Sequence, residues 1–309
     1  MKVLVTGGAG YIGAQLVYEL SKQPEIDKII VYDNISRGNY NLFISSSNKI
    51  KSNNVEFVFG DLLDSRKLKK SLDGVDVVYH FAAKVAQAYE NIDSHFYEQV
   101  NNWGTAELCY AIDESPSVKK LIYLSSTSVY GFSKKEPLTE DSRLNPRTFY
   151  AISKMRGEEH VKRLMGKIDA IIVRSGNVYG YSPSIRFDAV INRFLFDANF
   201  NNRIQIHGSG KQSRSFICVQ KLMDTMVWLL SHTIPSDTYN LVDKTYKILD
   251  LVDIFKEIYP SLEFIFINQH LDLRDLIVDQ NTKLNQYYEL PETNMKEEII
   301  DIKEKSFAF

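Results

Sequence analysis

The stretch Thr6-Gly7-Gly8-Ala9-Gly10-Tyr11-Ile12-Gly13 constrains this chain more than any other, because it follows directly on the apolar run Val3-Leu4-Val5. A buried strand that ends there must turn at once into a helix, whose unpaired N–H groups and positive dipole end attract an anion. Gly7 permits the tight bend, Gly10 lets the backbone approach a diphosphate with no Cβ in the way, and Gly13 lets the helix lie close against the strand. Tyr11 and Ile12 belong to the same site. Twenty residues beyond Gly13, a second apolar run, Ile29-Ile30-Val31-Tyr32, ends in Asp33. A carboxylate at that strand tip accepts hydrogen bonds from both ribose hydroxyls and repels a 2′-phosphate. The pattern therefore predicts a dinucleotide site that takes NAD in preference to NADP.

Short β-branched runs alternate with helical patterns along the first half, which predicts an α/β chain with a doubly wound (Rossmann) parallel sheet. Strands are expected over Lys2–Val5, Ile29–Tyr32, Val55–Phe59, Val75–His80, Lys120–Ser125 and Ala170–Val173. Helices are expected over Gly13–Lys22, Ser65–Ser71, Ser94–Glu114 and Tyr150–Gly166. Past Gly180 the pattern loosens: Arg186–Asn199 reads as a helix, and Arg203–Ile206, Ser215–Val219 and Tyr239–Val242 as strands. The expected organisation is an NAD-binding domain over 1–180, rejoined around 220–245, and a smaller C-terminal substrate lobe over 181–309. The ligand then lies in the crevice outside the carboxyl ends of the strands.

Composition narrows the partners. A formal charge of −2 over 309 residues argues against general nucleic-acid binding. Cys109 and Cys218 stand far apart with no C-x-x-C spacing, which suits a reducing cytoplasm. The first strand starts too early to leave room for a secretory signal, and no apolar run reaches the roughly 18 residues of a membrane span. The six histidines show no metal-ligand spacing, so no metal is expected.

Two further segments carry reaction chemistry. The strand Leu121-Ile122-Tyr123-Leu124 runs into Ser125-Ser126-Thr127-Ser128, which brings hydroxyls to the carboxyl edge of the sheet, where a nicotinamide ring is expected. Tyr150 and Lys154 stand four apart at a helix start and share a face. An ammonium beside a phenol, together with a positive nicotinamide, favours the phenolate and makes the tyrosine a general base near neutral pH. The same spacing recurs at Tyr18/Lys22, at the far end of the first helix, and at Tyr130/Lys134, interrupted by Gly131; only Tyr150/Lys154 has the required context.

These motifs resemble the extended short-chain dehydrogenase/reductases of the nucleotide-sugar epimerase and dehydratase group. Thr-Gly-x-x-Gly-x-x-Gly at Thr6–Gly13, with Ser126, Tyr150 and Lys154, matches the glycine motif and catalytic set of that group. The resemblance implies an adenosine-ribose segment at Asp33, Asn34, Ser36 and Gly38, an adenine contact at Asp61-Leu62, and backbone beneath the cofactor at Phe81-Ala82-Ala83. It further implies that Lys154 binds the ribose hydroxyls. Asn177 would help hold the sugar nucleotide, and Arg214 and Arg274 its diphosphate. It also implies a two-fold homodimer built on the helices of Ser94–Glu114 and Tyr150–Gly166.

Departures from the pattern narrow the activity. The 4,6-dehydratases carry Asp and Glu after the catalytic Ser/Thr, to supply acid and base for water elimination; here Thr127 and Ser128 stand there, and neither ionises usefully. Val85 occupies the place of a lysine found in the galactose epimerases, next to Lys84. Ser215 and Lys221 replace aspartates common after the diphosphate arginine. The activity expected is NAD-dependent inversion at C4 of a nucleotide-diphosphate sugar through a transient 4-keto intermediate. The alternatives are an NDP-4-keto-6-deoxyhexose reductase with the same triad and a non-catalytic NAD-sensing protein.

Overall fold

The computed structural model describes residues 1–44, 54–85, 93–133, 136–271 and 273–307. With elements numbered in chain order, strands β1 (Lys2–Thr6), β2 (Lys28–Asp33), β3 (Val55–Phe59), β4 (Val77–His80), β5 (Lys120–Ser126), β6 (Asp169–Ser175) and β10 (Thr238–Leu241) form one sheet. Its order is β10-β6-β5-β4-β1-β2-β3, and every pairing is parallel. Chain order departs in opposite directions from β1, so the crevice at the carboxyl ends opens between β1 and β4.

Strand alternation explains the two-sided burial. Val3, Val5, Ile29 and Val31 face one apolar cluster with Leu16 and Leu20 of helix α1 (Tyr11–Leu20) and Met226 and Leu230 of α8 (Val219–Ser231). Leu4, Ile30 and Leu121 face another, against Leu68 of α3 (Ser65–Ser71), Leu108 and Ile112 of α5 (Gly104–Asp113) and Val161 of α6 (Phe149–Lys162). A sheet covered on both faces reads as continuous apolar runs, which is why these strands were legible.

The expected helix over Ser94–Glu114 is broken. It runs as α4 (Ser94–Tyr97), a π-helical turn (Glu98–Trp103) and α5. Inside that turn the Asn101 side chain bonds the Lys84 peptide from both sides, accepting from its N–H at 2.8 Å and donating to its carbonyl at 2.9 Å. Its amide also donates to Ser153 Oγ at 2.9 Å. A π-bulge exposes such a residue to partners that a regular helix cannot reach.

Beyond the sheet, β7 (Asn177–Tyr179), β9 (Ser213–Cys218) and β11 (Lys244–Lys247) form a three-stranded sheet, and β8 (Arg203–His207) pairs with β12 (Glu263–Ile267). Helices α7 (Val190–Asn201), α9 (Ile248–Ile258) and α10 (Met295–Ser306) pack on them around Leu195, Phe216, Leu251, Phe255 and Ile299. The helix expected from Arg186 starts four residues later, because Arg186 folds back onto Asp188 (Nε to Oδ1, 2.7 Å) and the segment runs as a loop. The short α2 (Asn41–Ile44) completes the set, and among the described residues no helix is long and apolar enough to cross a membrane.

Candidate active site

Three glycines set the shape of the turn after β1. Gly7 has φ +69°, and a Cβ there would lie 2.5 Å from the Ala82 nitrogen. A Cβ on Gly13 would lie 2.1 Å from the Gly7 carbonyl oxygen. Gly10 differs: it is the N-cap of α1, no side chain caps that end, and its added Cβ would meet only the Gly7 oxygen, at 3.2 Å. The N–H groups at the helix start are therefore left without a side-chain cap, a ready anion cradle. Tyr11 is buried and donates to the Gly180 carbonyl at 2.8 Å, and Ile12 is half-buried beside it.

Asp33 stands where the strand pattern put it. Its Oδ2 accepts from the Ala9 N–H at 3.0 Å and its Oδ1 from the Ile35 N–H at 2.8 Å, which ties the carboxylate to the glycine turn. Burial pushes this carboxyl up, and the two N–H bonds pull it back. Asn34 donates to Asp61 Oδ2 at 2.9 Å and accepts from the Ser36 N–H at 3.1 Å, while Gly38 closes the turn at φ +65°. Leu62 is buried, and the Tyr32 hydroxyl donates to the Asp61 carbonyl at 2.8 Å. On the facing side the Phe81 N–H bonds the Thr6 carbonyl, Ala82 touches Gly7, and Ala83 continues half-buried. An uncapped helix start, a carboxylate at the second strand tip and a backbone floor fit NAD.

Ser126, Tyr150 and Lys154 converge from β5 and α6. Ser126 caps the 3-10 turn Thr127–Tyr130 through its Oγ, which accepts from the Ser128 N–H at 3.2 Å. Thr148 caps α6 by accepting from the Ala151 N–H, which presents Tyr150 in the first turn. The Ser126 hydroxyl acts on the Tyr150 phenol in the sense that favours its charged form. Burial raises the phenol above its ordinary range; Arg186, the Ser126 bond and Arg37 pull it down, and Tyr97 pushes it up.

Lys154, one helical turn further on, lies deeper in the site. Lys154 is 2% exposed, and its Nζ lies 4.1 Å from the Tyr123 ring centroid. Burial pushes the ammonium down to about 7, with Glu158 acting the other way. The ammonium is directed at that ring. Beneath it, His80 bonds Thr6 Oγ1 at 2.7 Å and Thr105 Oγ1 at 2.9 Å; burial, with Lys154 adding, holds that imidazole neutral.

The two other Tyr/Lys spacings have ordinary roles. Lys22 stacks on the Tyr18 ring at 3.9 Å and pairs with Glu19 at the surface. Tyr130 is buried, donates to Asn240 at 2.7 Å and accepts from Arg174 at 2.9 Å, while Lys134 lies outside the described residues.

Of the residues expected to hold the sugar nucleotide, Arg214 and Arg274 come together. Arg214 Nη1 donates to the Arg274 carbonyl at 2.7 Å and to the Ser213 carbonyl at 2.8 Å. Arg274 stacks its guanidinium 4.8 Å from the Phe132 ring and lines a pocket of about 390 Å³ with Lys211 and Gln212. Asn177 is exposed at the start of β7 and donates to the Ser215 carbonyl at 3.1 Å. Three residues escaped sequence reasoning: Asn101, Arg37 and Arg186. Isolated arginines on irregular loops carry no periodic signal; only the fold brings them to Tyr150.

Comparison with known proteins agrees with this geometry. The family model for the NAD dependent epimerase/dehydratase family matches residues 3–241. The human dTDP-D-glucose 4,6-dehydratase is 32% identical over 245 residues, covering 78% of this chain and 68% of that protein. The UDP-glucose 4-epimerase of Lactobacillus helveticus is 31% identical over 282 residues, covering 84% and 82%. The crystal structure of UDP-glucuronic acid 4-epimerase from Bacillus cereus, in complex with UDP-glucuronic acid and NAD, superposes with a TM-score of 0.86 at 25% identity, covering 98% of each chain. The cofactor of this chain is NAD, and the chain belongs to the NAD-dependent epimerase/dehydratase family, the extended short-chain dehydrogenase/reductases.

Proposed function

We propose that the protein inverts C4 of a nucleotide-diphosphate sugar. The observation that carries this reading is the placing of Ser126 at the carboxyl end of β5 and Tyr150 in the first turn of α6, beside a turn that holds no carboxylate or imidazole. Tyr150, as phenolate, takes the proton of the sugar 4-hydroxyl, and Ser126 donates a hydrogen bond to the same oxygen. When bound, NAD supplies reversible hydride exchange with C4. Tyr150 then returns its proton to the oxygen after the ketone has turned its other face, so the cofactor ends unchanged and the product is the 4-epimer. Lys154 and Asp33 hold the cofactor's ribose hydroxyls, and Arg214, Arg274 and Asn177 hold the sugar nucleotide in the smaller lobe.

Elimination of water needs ionisable groups next to Ser126, and Thr127 and Ser128 are buried hydroxyls with none to offer. The protein therefore shares the redox core of its dehydratase relative without the groups for the elimination step. Inversion also separates the protein from a 4-ketoreductase, which releases oxidised cofactor.

The same reading includes a cytoplasmic homodimer. Phe96, Trp103 and Tyr110 recur seven apart along α4, the π turn and α5, and are 55%, 60% and 50% exposed; Phe149 adds 58% at the start of α6. Exposed apolar residues of this kind support an interface with a second copy. Cys109 and Cys218 are buried free thiols, as a reducing compartment permits. The test is to incubate purified protein with a panel of NDP-sugars and no added cofactor. Interconversion of one sugar with its 4-epimer at constant absorbance near 340 nm supports the reading. Stoichiometric NADH consumption with a 4-keto sugar gives the assignment to the reductase.

A further inference from the structure

Ser126 and Tyr150 reach the site on different elements, β5 and α6, so their spacing depends on how the helix is fixed to the sheet. Two turns beyond Tyr150, on the same stripe of α6, stands Glu158, which is fully buried. Its Oε1 accepts from Ser125 Oγ at 2.6 Å and from Arg174 Nε at 2.9 Å, and its Oε2 accepts from Arg174 Nη2 at 2.6 Å. Ser125 is the residue before Ser126. Arg174, of β6, is 3% exposed and lies in register with Ser125 on one side and with Asn240 of β10 on the other. Its third nitrogen, Nη1, donates at 2.9 Å to the Tyr130 hydroxyl, which donates in turn to Asn240 Oδ1 at 2.7 Å. Tyr130 closes the 3-10 turn that Ser126 caps. The turn is therefore tied down by Ser125 before it and by Tyr130 at its close, and both ties end on the Arg174–Glu158 pair. The helix comes very near the strand at this level: a Cβ on Gly157 would lie 2.5 Å from the Tyr123 hydroxyl.

We propose that Glu158 and Arg174 are positioning residues: as one buried clamp they fix α6, and with it Tyr150, at a set distance from Ser126. Stability alone does not account for the pair. The desolvation of two charges roughly offsets their attraction, and an apolar cluster of similar volume is often as stable or more so. What the pair supplies is direction. A planar guanidinium that meets a carboxylate on two parallel bonds admits one orientation of β6 against α6, and the Ser125 bond extends it to β5. The other ties on this helix do not reach β5 in that way. Asn101 holds Ser153 from the π turn, and Lys154 meets only the face of the Tyr123 ring, which sets no direction along the strand.

The inference rests on Tyr150 and Ser126 acting on one oxygen, and one of its readouts needs no sugar. The triple variant Ser125→Ala, Glu158→Met, Arg174→Met removes the cluster and leaves neither a buried charge nor an orphaned hydroxyl, since Tyr130 keeps Asn240. It should melt within about 5 °C of wild type. In crystal structures of the NAD-loaded proteins, the distance from Ser126 Oγ to Tyr150 Oη should be about 1 Å longer in the variant. A misplacement of that size costs about 100-fold. The kcat for the NDP-sugar that the wild-type protein inverts should fall by about that factor, with KM and NAD affinity within about threefold. Should the triple variant not yield folded protein, Ser125→Ala alone removes the bond between helix and strand, leaves Glu158 on Arg174, and should lower kcat about tenfold at unchanged KM. An unchanged hydroxyl separation in the folded triple variant overturns the proposal, as does a loss confined to the melting temperature, or wild-type kcat in Ser125→Ala. Full turnover in Tyr150→Phe overturns instead the assignment of the base on which the inference rests.

Discussion

Gly10 and Gly13 stand three residues apart in one motif, yet the structure gives them different work, and alanine at each separates cofactor binding from folding. Gly13→Ala puts a methyl 2.1 Å from a carbonyl oxygen and 2.8 Å from the Gly8 Cα, both backbone atoms that cannot rotate away. Helix α1 must shift off β1, at about 3 kcal/mol or more, since overpacking alone costs about 1–3 kcal/mol. Gly10→Ala meets one oxygen at 3.2 Å, at φ −74° and ψ 178°, a conformation open to any residue. Its cost to stability should stay near the ~1 kcal/mol of an unfavourable N-cap. The methyl nevertheless projects from the N-cap where a diphosphate must approach. Losing one charge-assisted hydrogen bond costs about 1.5–3 kcal/mol, which corresponds to roughly 10- to 100-fold in affinity. Thermal melting and calorimetric titration of the cofactor-stripped variants with NAD measure both. Gly10→Ala should melt within about 3 °C of wild type and bind NAD at least tenfold more weakly, whereas Gly13→Ala should lose both. Wild-type NAD affinity in folded Gly10→Ala would refute the placement of the diphosphate.

Asp33 should make NAD bind at least tenfold more tightly than NADP, since a 2′-phosphate meets a like charge there; Asp33→Asn should narrow the ratio, and equal wild-type affinities in a titration would contradict the ribose contact. Tyr150→Phe should keep NAD bound and lose most turnover, and Ser126→Ala should lose about 100-fold, as for one donor to a reacting oxygen. Tyr18→Phe should remain close to wild type, and equal losses in Tyr18→Phe and Tyr150→Phe would remove the distinction drawn between them. Trp103→Glu should convert a dimer into monomers by light scattering at micromolar concentration; a wild-type monomer there contradicts the interface.

What could be read in the chain followed from periodicity. Strands buried on both faces leave unbroken apolar runs, and β1 to β6 fell within two residues of their expected bounds. The amphipathic α9, with Ile248, Leu251, Val252 and Phe255 on one face, carried a signal just as clear but lay beyond the point where the alternating pattern had loosened. The π turn was not legible, because Asn101 acts through the Lys84 peptide and Ser153, residues far from it in sequence. Helix α10 was hidden by its Lys/Glu-rich surface, although Met295, Ile299 and Ile302 keep the spacing of a buried stripe.

Spacing established that Tyr150 and Lys154 share a helix face, but not which ring the ammonium meets. A lysine four residues beyond a tyrosine can reach its hydroxyl or fall away into the core, and the choice depends on what the core offers. Here it offers the face of Tyr123 and, one turn on, the carboxylate of Glu158, itself clamped by Arg174 at 2.6 Å and by Ser125 at 2.6 Å. A buried cation goes where partners compensate its desolvation. Arg186 and Arg37, on the loops after β7 and β2, also favour the charged form of Tyr150. Arg37 also feels Asp33 at the ribose end, and Arg186 is joined through Asn192 to Tyr11. The phenol's readiness as a base is thereby coupled to the loops that frame the cofactor, a property of the assembled crevice that no local motif encodes.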